Sequence, residues 1–121
     1  MSDDPRHRLG EHGEQLAADH LARLGYEIVE RNHRTRYGEL DLIALDRGTL
    51  VFCEVKTRRG GAAPFESLHA RKRQQVRRMA AAYLAQANRC PSAHALRFDA
   101  VGITLDARGE LIRLDHLEGA F

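Results

Sequence analysis

The chain has 121 residues, enough for one domain with a single core and too few for two. Hydrophobic residues make up 43% and charged residues 30%, which excludes a disordered chain, while a formal net charge of +2 says nothing by itself about partners. No run approaches ~18 consecutive apolar residues, so a membrane-spanning helix is excluded.

Met1-Ser2-Asp3-Asp4-Pro5-Arg6 is polar and leads into no signal-peptide core. Cys53 and Cys90 have no close pairing pattern, which points to a reducing, cytoplasmic setting. The seven histidines form no His-x-His or His-x-x-x-His pair, which argues against zinc. His69, His94 and His116 are read as surface or loop residues.

Residues 1–7 are expected to be a frayed, flexible leader. From Arg8 to Leu24, apolar and small residues at Leu9, Gly13, Leu16, Ala17, Leu21 and Leu24 follow helical spacing, and Gly25 is placed to end the helix as a left-handed cap. Glu14 falls beside this stripe, where a solvated flank is its plainest role. Tyr26–Glu30 is a short β-branched strand. Arg31–Tyr37 is basic and punctuated, and is read as a loop ending at Gly38.

Gly38–Lys56 has the form of a hairpin, two apolar runs about the Asp46-Arg47-Gly48 turn. A turn centred on Arg47-Gly48 pairs Leu45 with Leu50, Ile43 with Phe52, Asp41 with Glu54, and Glu39 with Lys56. Ile43, Leu45, Leu50 and Phe52 mark a covered face, and two carboxylates opposed on it repel and resist desolvation. A divalent cation between them would account for the pair.

Thr57–Pro64 is expected to be a flexible loop. Ser67 suits the cap of a second helix reaching about Ala87, with Val76, Met79, Ala80, Tyr83 and Ala87 on its apolar face. Leu96–Leu105 is a strand interrupted at Gly102, and Asp106–Gly109 turns into a last strand, Leu111–Leu117. The first three strands suit an antiparallel meander. The second helix then crosses over to place the next strand parallel to the Lys56 strand. The expected fold is a single α/β domain over 1–121, a mixed central sheet with a helix on each face.

Phosphodiester hydrolysis needs a metal to hold phosphate and acidify water, a group to orient that water, and positive charge against the developing anion. Magnesium takes hard oxygen ligands and keeps several waters. Asp41 and Glu54 supply two carboxylates, and Glu14 a third if its helix covers the same face. Lys56, two residues beyond Glu54, projects beside it and is placed to orient water or offset charge. The Val55 carbonyl is a further candidate ligand, and Mn²⁺ is the natural substitute for Mg²⁺. The same spacing also suits a solvated, charge-balanced face in which Glu39 pairs with Lys56.

From Lys56 to Arg78 there are eight basic residues, Lys56, Arg58, Arg59, Arg71, Lys72, Arg73, Arg77 and Arg78, against the single acid Glu66. Arg31, Arg34 and Arg36 form a second basic stretch. Positive charge gathered around the site is the footprint of a polyanion binder, although a solvated helix face has the same composition. Tyr37 and Phe65 are the only aromatic residues nearby, which favours backbone contact over base readout. Arg97 and Asp99 alternate on one strand and suit structural pairing.

Gly10-x-x-Gly13-Glu14-x-x-Ala17, Gly25-Tyr26, Gly38-Glu39-Leu40-Asp41-Leu42-Ile43 and Val51-Phe52-Cys53-Glu54-Val55-Lys56-x-Arg58 resemble the YraN-like family. So do Lys72, Ala80, Tyr83-Leu84, Arg97-Phe98-Asp99 and Ala120-Phe121. The family is similar to the PD-(D/E)xK, restriction-endonuclease-like superfamily and, within it, to Holliday-junction resolvases. The resemblance implies an αβββαβ core and an endonuclease acting on DNA, with branched DNA as the substrate of the resolvase kin. It carries a helix-borne acid, an Asp and a Glu-x-Lys onto Glu14, Asp41, Glu54 and Lys56, with Leu40 in place of the signature proline. A homodimer is the assembly that the resolvase kinship implies. A rival expectation is a non-catalytic nucleic-acid-binding adaptor that retains the scaffold.

Overall fold

The computed structural model describes residues 5–60, 70–86 and 93–121, with side chains from Arg8 onward in the first segment and from Lys72 in the second. The expected Ser67 cap, and Phe65, His69, Ala87, Cys90 and the loop from Gly61 to Pro64, lie outside the described residues. The elements run α1 (Pro5–Arg23), β1 (Glu27–Thr35), β2 (Gly38–Asp46), β3 (Thr49–Arg59), α2 (Ala70–Leu84), β4 (Ala95–Leu105) and β5 (Leu111–Leu117). The strands form one sheet in the order β1-β2-β3-β4-β5. Every neighbouring pair is antiparallel except β3 and β4, which are parallel across the α2 crossover. The expected mixed α/β sheet with an αβββαβ core is the observed one, extended by β5. No helix among the described residues is long and apolar enough to cross a membrane.

α1 begins at Pro5, earlier than the expected Arg8. Proline suits a first helical turn because its missing N–H is not needed there. The helix ends as expected at Gly25, whose φ of +92° is left-handed. Tyr26 N–H donates to the Leu21 carbonyl and Gly25 N–H to that of Ala22, the paired bonds of a Schellman cap. Leu24, placed on the apolar stripe by its spacing, falls beyond the helix and is exposed.

Three boundaries differ from expectation. Arg31–Thr35 is strand, not loop, because Gly38–Leu42 of β2 supplies its ladder partners. Thr57–Arg59 is likewise strand, paired with Ile103–Leu105 of β4. Gly102 does not interrupt β4; it pairs with Lys56 on one side and Asp115 on the other.

The two faces of the sheet carry separate cores. Ala17, Ala18 and Leu21 of α1 pack on Leu42, Ala44, Val51, Cys53, Val101 and Ile103. Val76, Met79, Ala80 and Tyr83 of α2 pack on Leu40, Ile43, Leu50, Phe52 and Ala100. Leu40 joins the α2 side although alternation from Leu42 would put it on the α1 side, so β2 turns over near Asp41.

α1 comes very close to β3. A Cβ added at Gly13 would lie 1.8 Å from Thr57 Oγ1 and 2.8 Å from its Cβ. Glycine is required there for the helix to seat, and that seating sets the position of Glu14. Gly13→Ala should therefore cost about 1–3 kcal/mol of stability as α1 is pushed outward. Thr57→Ala in the same chain, which removes Oγ1 but leaves the Cβ, should restore part of the loss. Urea unfolding of the single and double variants measures both effects.

Candidate functional site

The hairpin turn is the expected one. Arg47 and Gly48 both have positive φ, +49° and +84°, which a two-residue turn joining right-twisted strands demands. From it the β2–β3 ladder runs through Leu45–Leu50 and Ile43–Phe52 to Leu42–Cys53. The expected pairs Asp41–Glu54 and Glu39–Lys56 do not join that ladder; beyond Leu42 the strands part. The Val55 N–H donates instead to Asp41 Oδ2 at 2.8 Å, so a side chain takes the place of a backbone acceptor.

The parting still brings the predicted acids together. Asp41 and Glu54 lie close enough that the Glu54 carboxylate opposes ionisation of Asp41. Glu14 arrives from α1, which covers the face opposite Ile43 and Phe52, not the same face as the register argument required. It reaches Asp41 because the strands have separated there. One carboxylate oxygen from each of Glu14, Glu39 and Asp41 lies within 4.8 Å of the others. Glu39 was expected to face Lys56, yet it belongs to this cluster. The signal was present in the sequence, since residues 39 and 41 are two apart in a strand.

Asn32 is a second feature that the sequence did not disclose. It sits at φ +53°, a conformation that Asn tolerates better than most residues. With its amide nitrogen turned to the acids, it donates to Glu14 Oε2 at 2.9 Å and Glu39 Oε1 at 2.8 Å. Burial raises Glu14 above the ordinary carboxylate range, against the bond from Asn32. Asp41 is held up to about 9, first by burial and then by the neighbouring Glu54.

The basic residues divide. Lys72 of α2 forms an ion pair with Glu54 and so belongs to the acid site. Lys56 is exposed and makes no ion pair among the described residues. Arg73, Arg77 and Arg78 are exposed along α2, but Arg77 donates to the Phe121 carbonyl and lies over the Phe98 ring, a packing role. Arg34 is exposed opposite Glu39 at 3.6 Å, and Arg36 is exposed beside Tyr37. Arg58 is half-buried with an unpartnered Nε, and Arg59 is exposed at the end of β3. Arg71 contributes backbone to α2, and its side chain lies outside the described atoms. The described carboxylates and Lys72 thus converge, while the arginines spread along α2, the β1–β2 turn and the end of β3.

A separate polar network was only half visible. Asp99 is fully buried and accepts from Arg97, from His116 Nε2 at 2.8 Å and from the Gly119 N–H. Burial alone would raise its pKa, but these donors more than offset that and hold it below the usual carboxylate value. His116 is no surface residue; its other ring nitrogen meets His20 of α1 at 3.1 Å. Arg97 also donates to the Tyr26 hydroxyl at 2.6 Å. The network fastens the segment after β5 to the C-terminal end of α1.

A family model described as Uncharacterised protein family UPF0102 matches residues 13–103. A UPF0102 protein of Frankia casuarinae is 47% identical over 117 residues, covering 93% of this chain and 95% of the relative. One from Nocardia farcinica is 47% identical over 115 residues, covering 93% and 88%. One from Herpetosiphon aurantiacus is 45% identical over 122 residues, covering 98% and 96%.

The raised pKa of Asp41 has a definite sign in stability. An unfolded Asp loses its proton near 3.8, and the folded one near 9. Between those values the unfolded state binds fewer protons, so stability is full below the window and falls as pH rises through it. Asp41→Asn has no such proton, and its urea midpoint in a chelator should vary less than that of the natural chain between about pH 5 and pH 9. At the other network, Asp99→Asn should cost about 1–3 kcal/mol by weakening the bonds from Arg97 and His116, with Asp46 and Glu118 still beside Arg97, measured in the same unfolding assay.

Proposed function

The chain belongs to the uncharacterised protein family UPF0102, the YraN-like group, and from its site we propose a metal-dependent endonuclease that hydrolyses phosphodiester bonds in DNA. The observation that carries the reading is the gathering of Glu14, Glu39 and Asp41 where β2 leaves β3, with Glu54 close to Asp41. The donors are all hard carboxylate oxygens, which fits Mg²⁺ or its substitute Mn²⁺ and not a soft metal. Asp41, Glu54 and Glu14 would hold the cation, with Glu39 beside them and the Val55 carbonyl as a further ligand. When bound, such a cation offsets phosphate charge and makes water more acidic.

The protein's own groups supply the rest of the proposed chemistry. Asp41 is positioned by the Val55 N–H and would have to give up its proton to hold a cation. Lys72 steadies Glu54 by pairing with it. Lys56, exposed and two residues beyond Glu54, is free to orient the attacking water or to meet the scissile phosphate. Arg34, Arg36, Arg58, Arg59, Arg71, Arg73 and Arg78 offer phosphate contacts around the site. Arg77 is the weakest of the expected contacts because it is already engaged. The order of elements and the Asp with Glu-x-Lys at parting strands suit the restriction-endonuclease-like superfamily and, within it, junction-cutting enzymes. Such an enzyme would work as a homodimer in the cytoplasm; Cys53 is a free, buried thiol, consistent with that compartment.

Asp41→Ala and Lys56→Ala should each reduce cleavage of four-way-junction or flap DNA by about a hundredfold or more while leaving DNA binding in place. Unchanged cleavage by both variants with metal in excess would sink the assignment. The Lys72–Glu54 pair favours one other reading, an adaptor whose nuclease site is closed by its own lysine. Calorimetric titration with Mn²⁺ separates the two. Binding that is lost in Asp41→Asn supports the enzyme, and no binding by the natural chain supports the adaptor.

A further inference from the structure

Away from the acids, the β1–β2 turn builds a small site of its own. Thr35 Oγ1 donates to the Gly38 carbonyl at 2.9 Å and accepts from the Tyr37 N–H at 3.0 Å. Gln75 of α2 donates to the Tyr37 carbonyl at 2.8 Å. A Cβ at Gly38 would lie 2.7 Å from that Gln75 amide and 3.1 Å from Met79 Sδ, so the turn is seated directly on α2. Tyr37 is therefore held by its backbone while its half-buried ring faces a cavity of about 270 Å³. Arg36, Arg78, Ala81 and Ala82 complete the lining.

Two guanidinium groups crowd this one ring. The Arg36 Cζ lies 5.0 Å and the Arg78 Cζ 6.0 Å from its centroid, and Arg36 Nη2 donates to the Tyr37 hydroxyl at 2.8 Å. Neither arginine has an acidic partner among the described residues. Two cations at one ring without a counter-charge favour an anion nearby. Ala81 and Ala82 leave room beside the ring. An immobilised aromatic platform flanked by unneutralised arginines is the chemistry that binds a nucleic-acid strand through its phosphate and an unstacked base.

We propose that Tyr37, Arg36 and Arg78 form a subsite for one unpaired nucleotide, with the phosphate on the arginines and the base on the tyrosine ring. The inference deepens the nuclease reading and rests on it for the identity of the polymer. Tyr37 immediately precedes β2 and lies four residues before Asp41, at most about 13 Å of extended chain. Arg78 lies six residues along α2 from Lys72, about 9 Å of helix. One bound strand can thus occupy the subsite and the acid site together, and the preferred substrate is one with single-stranded character beside the scissile bond.

The test is fluorescence anisotropy in EDTA with labelled oligothymidylate, oligouridylate and a blunt DNA duplex of equal length. Tyr37→Ala should weaken binding of at least one single strand about tenfold and leave the duplex unchanged, whereas Tyr37→Phe should stay close to the natural chain. The preferred strand, DNA or RNA, identifies the polymer. Arg78→Gln, an exposed change that spares the turn, should lower the salt dependence of single-strand binding by about one unit of slope, and it carries the test if Tyr37→Ala fails to fold. Equal losses on single strand and duplex, or no loss in either variant, overturn the subsite while leaving the nuclease reading standing. Absence of nucleic-acid binding by the natural chain overturns both.

Discussion

Everything at the site depends on one event in the sheet, the separation of β2 from β3 after Leu42–Cys53. A continued ladder would have left Asp41 and Glu54 side by side on a covered face, and α1 on the other side would have been screened from them by the sheet. Once the strands part, the Val55 N–H has no ladder partner and takes the Asp41 carboxylate instead. The gap also admits Glu14 from one layer while Lys72 reaches Glu54 from the other. Groups from both helical layers can reach one cluster only where the sheet is open.

Concentrating four carboxylates in this way is costly, and the structure shows what tempers it. Burial and the neighbouring Glu54 hold Asp41 up to about 9, which favours its neutral form and removes one charge from the crowd. Asn32 donates to Glu14 and Glu39 together. Lys72 neutralises Glu54. Each device is partial, and the crowding that remains is what the proposed cation would relieve. By contrast, the Asp99 network is fully partnered by Arg97, His116 and Gly119, as a structural clasp should be.

The fold was legible because its signals are local. The Gly25 cap, the Arg47-Gly48 turn and the apolar faces of α2 and the hairpin each follow from a few neighbouring residues. What was missed depends on contacts across the chain. Arg31–Thr35 looks like a loop until β2 offers it a ladder, and Thr57–Arg59 until β4 does. The register count was right as far as Leu42 and then failed, because nothing in residues 38–56 alone says where two strands will separate. Glu14 does come beside Asp41 and Glu39, but from the opposite face to the one expected, since alternation cannot foresee a strand that turns over. His116 looked like a surface residue because its partners, Asp99 and His20, are distant in sequence.

The close seating of Gly13 on Thr57 also has a meaning for synthesis. Domains emerge from the ribosome from the N-terminus, so α1 and Glu14 are made long before β3 exists to receive them. Until β3 has been added, the helix lacks Val51, Cys53 and Thr57 of its seat, and Glu54 is absent from the acids. Until α2 follows, Glu54 lacks its lysine. A nascent chain that ends before β3 therefore cannot assemble the four acids, and one that ends before α2 leaves Glu54 without its partner.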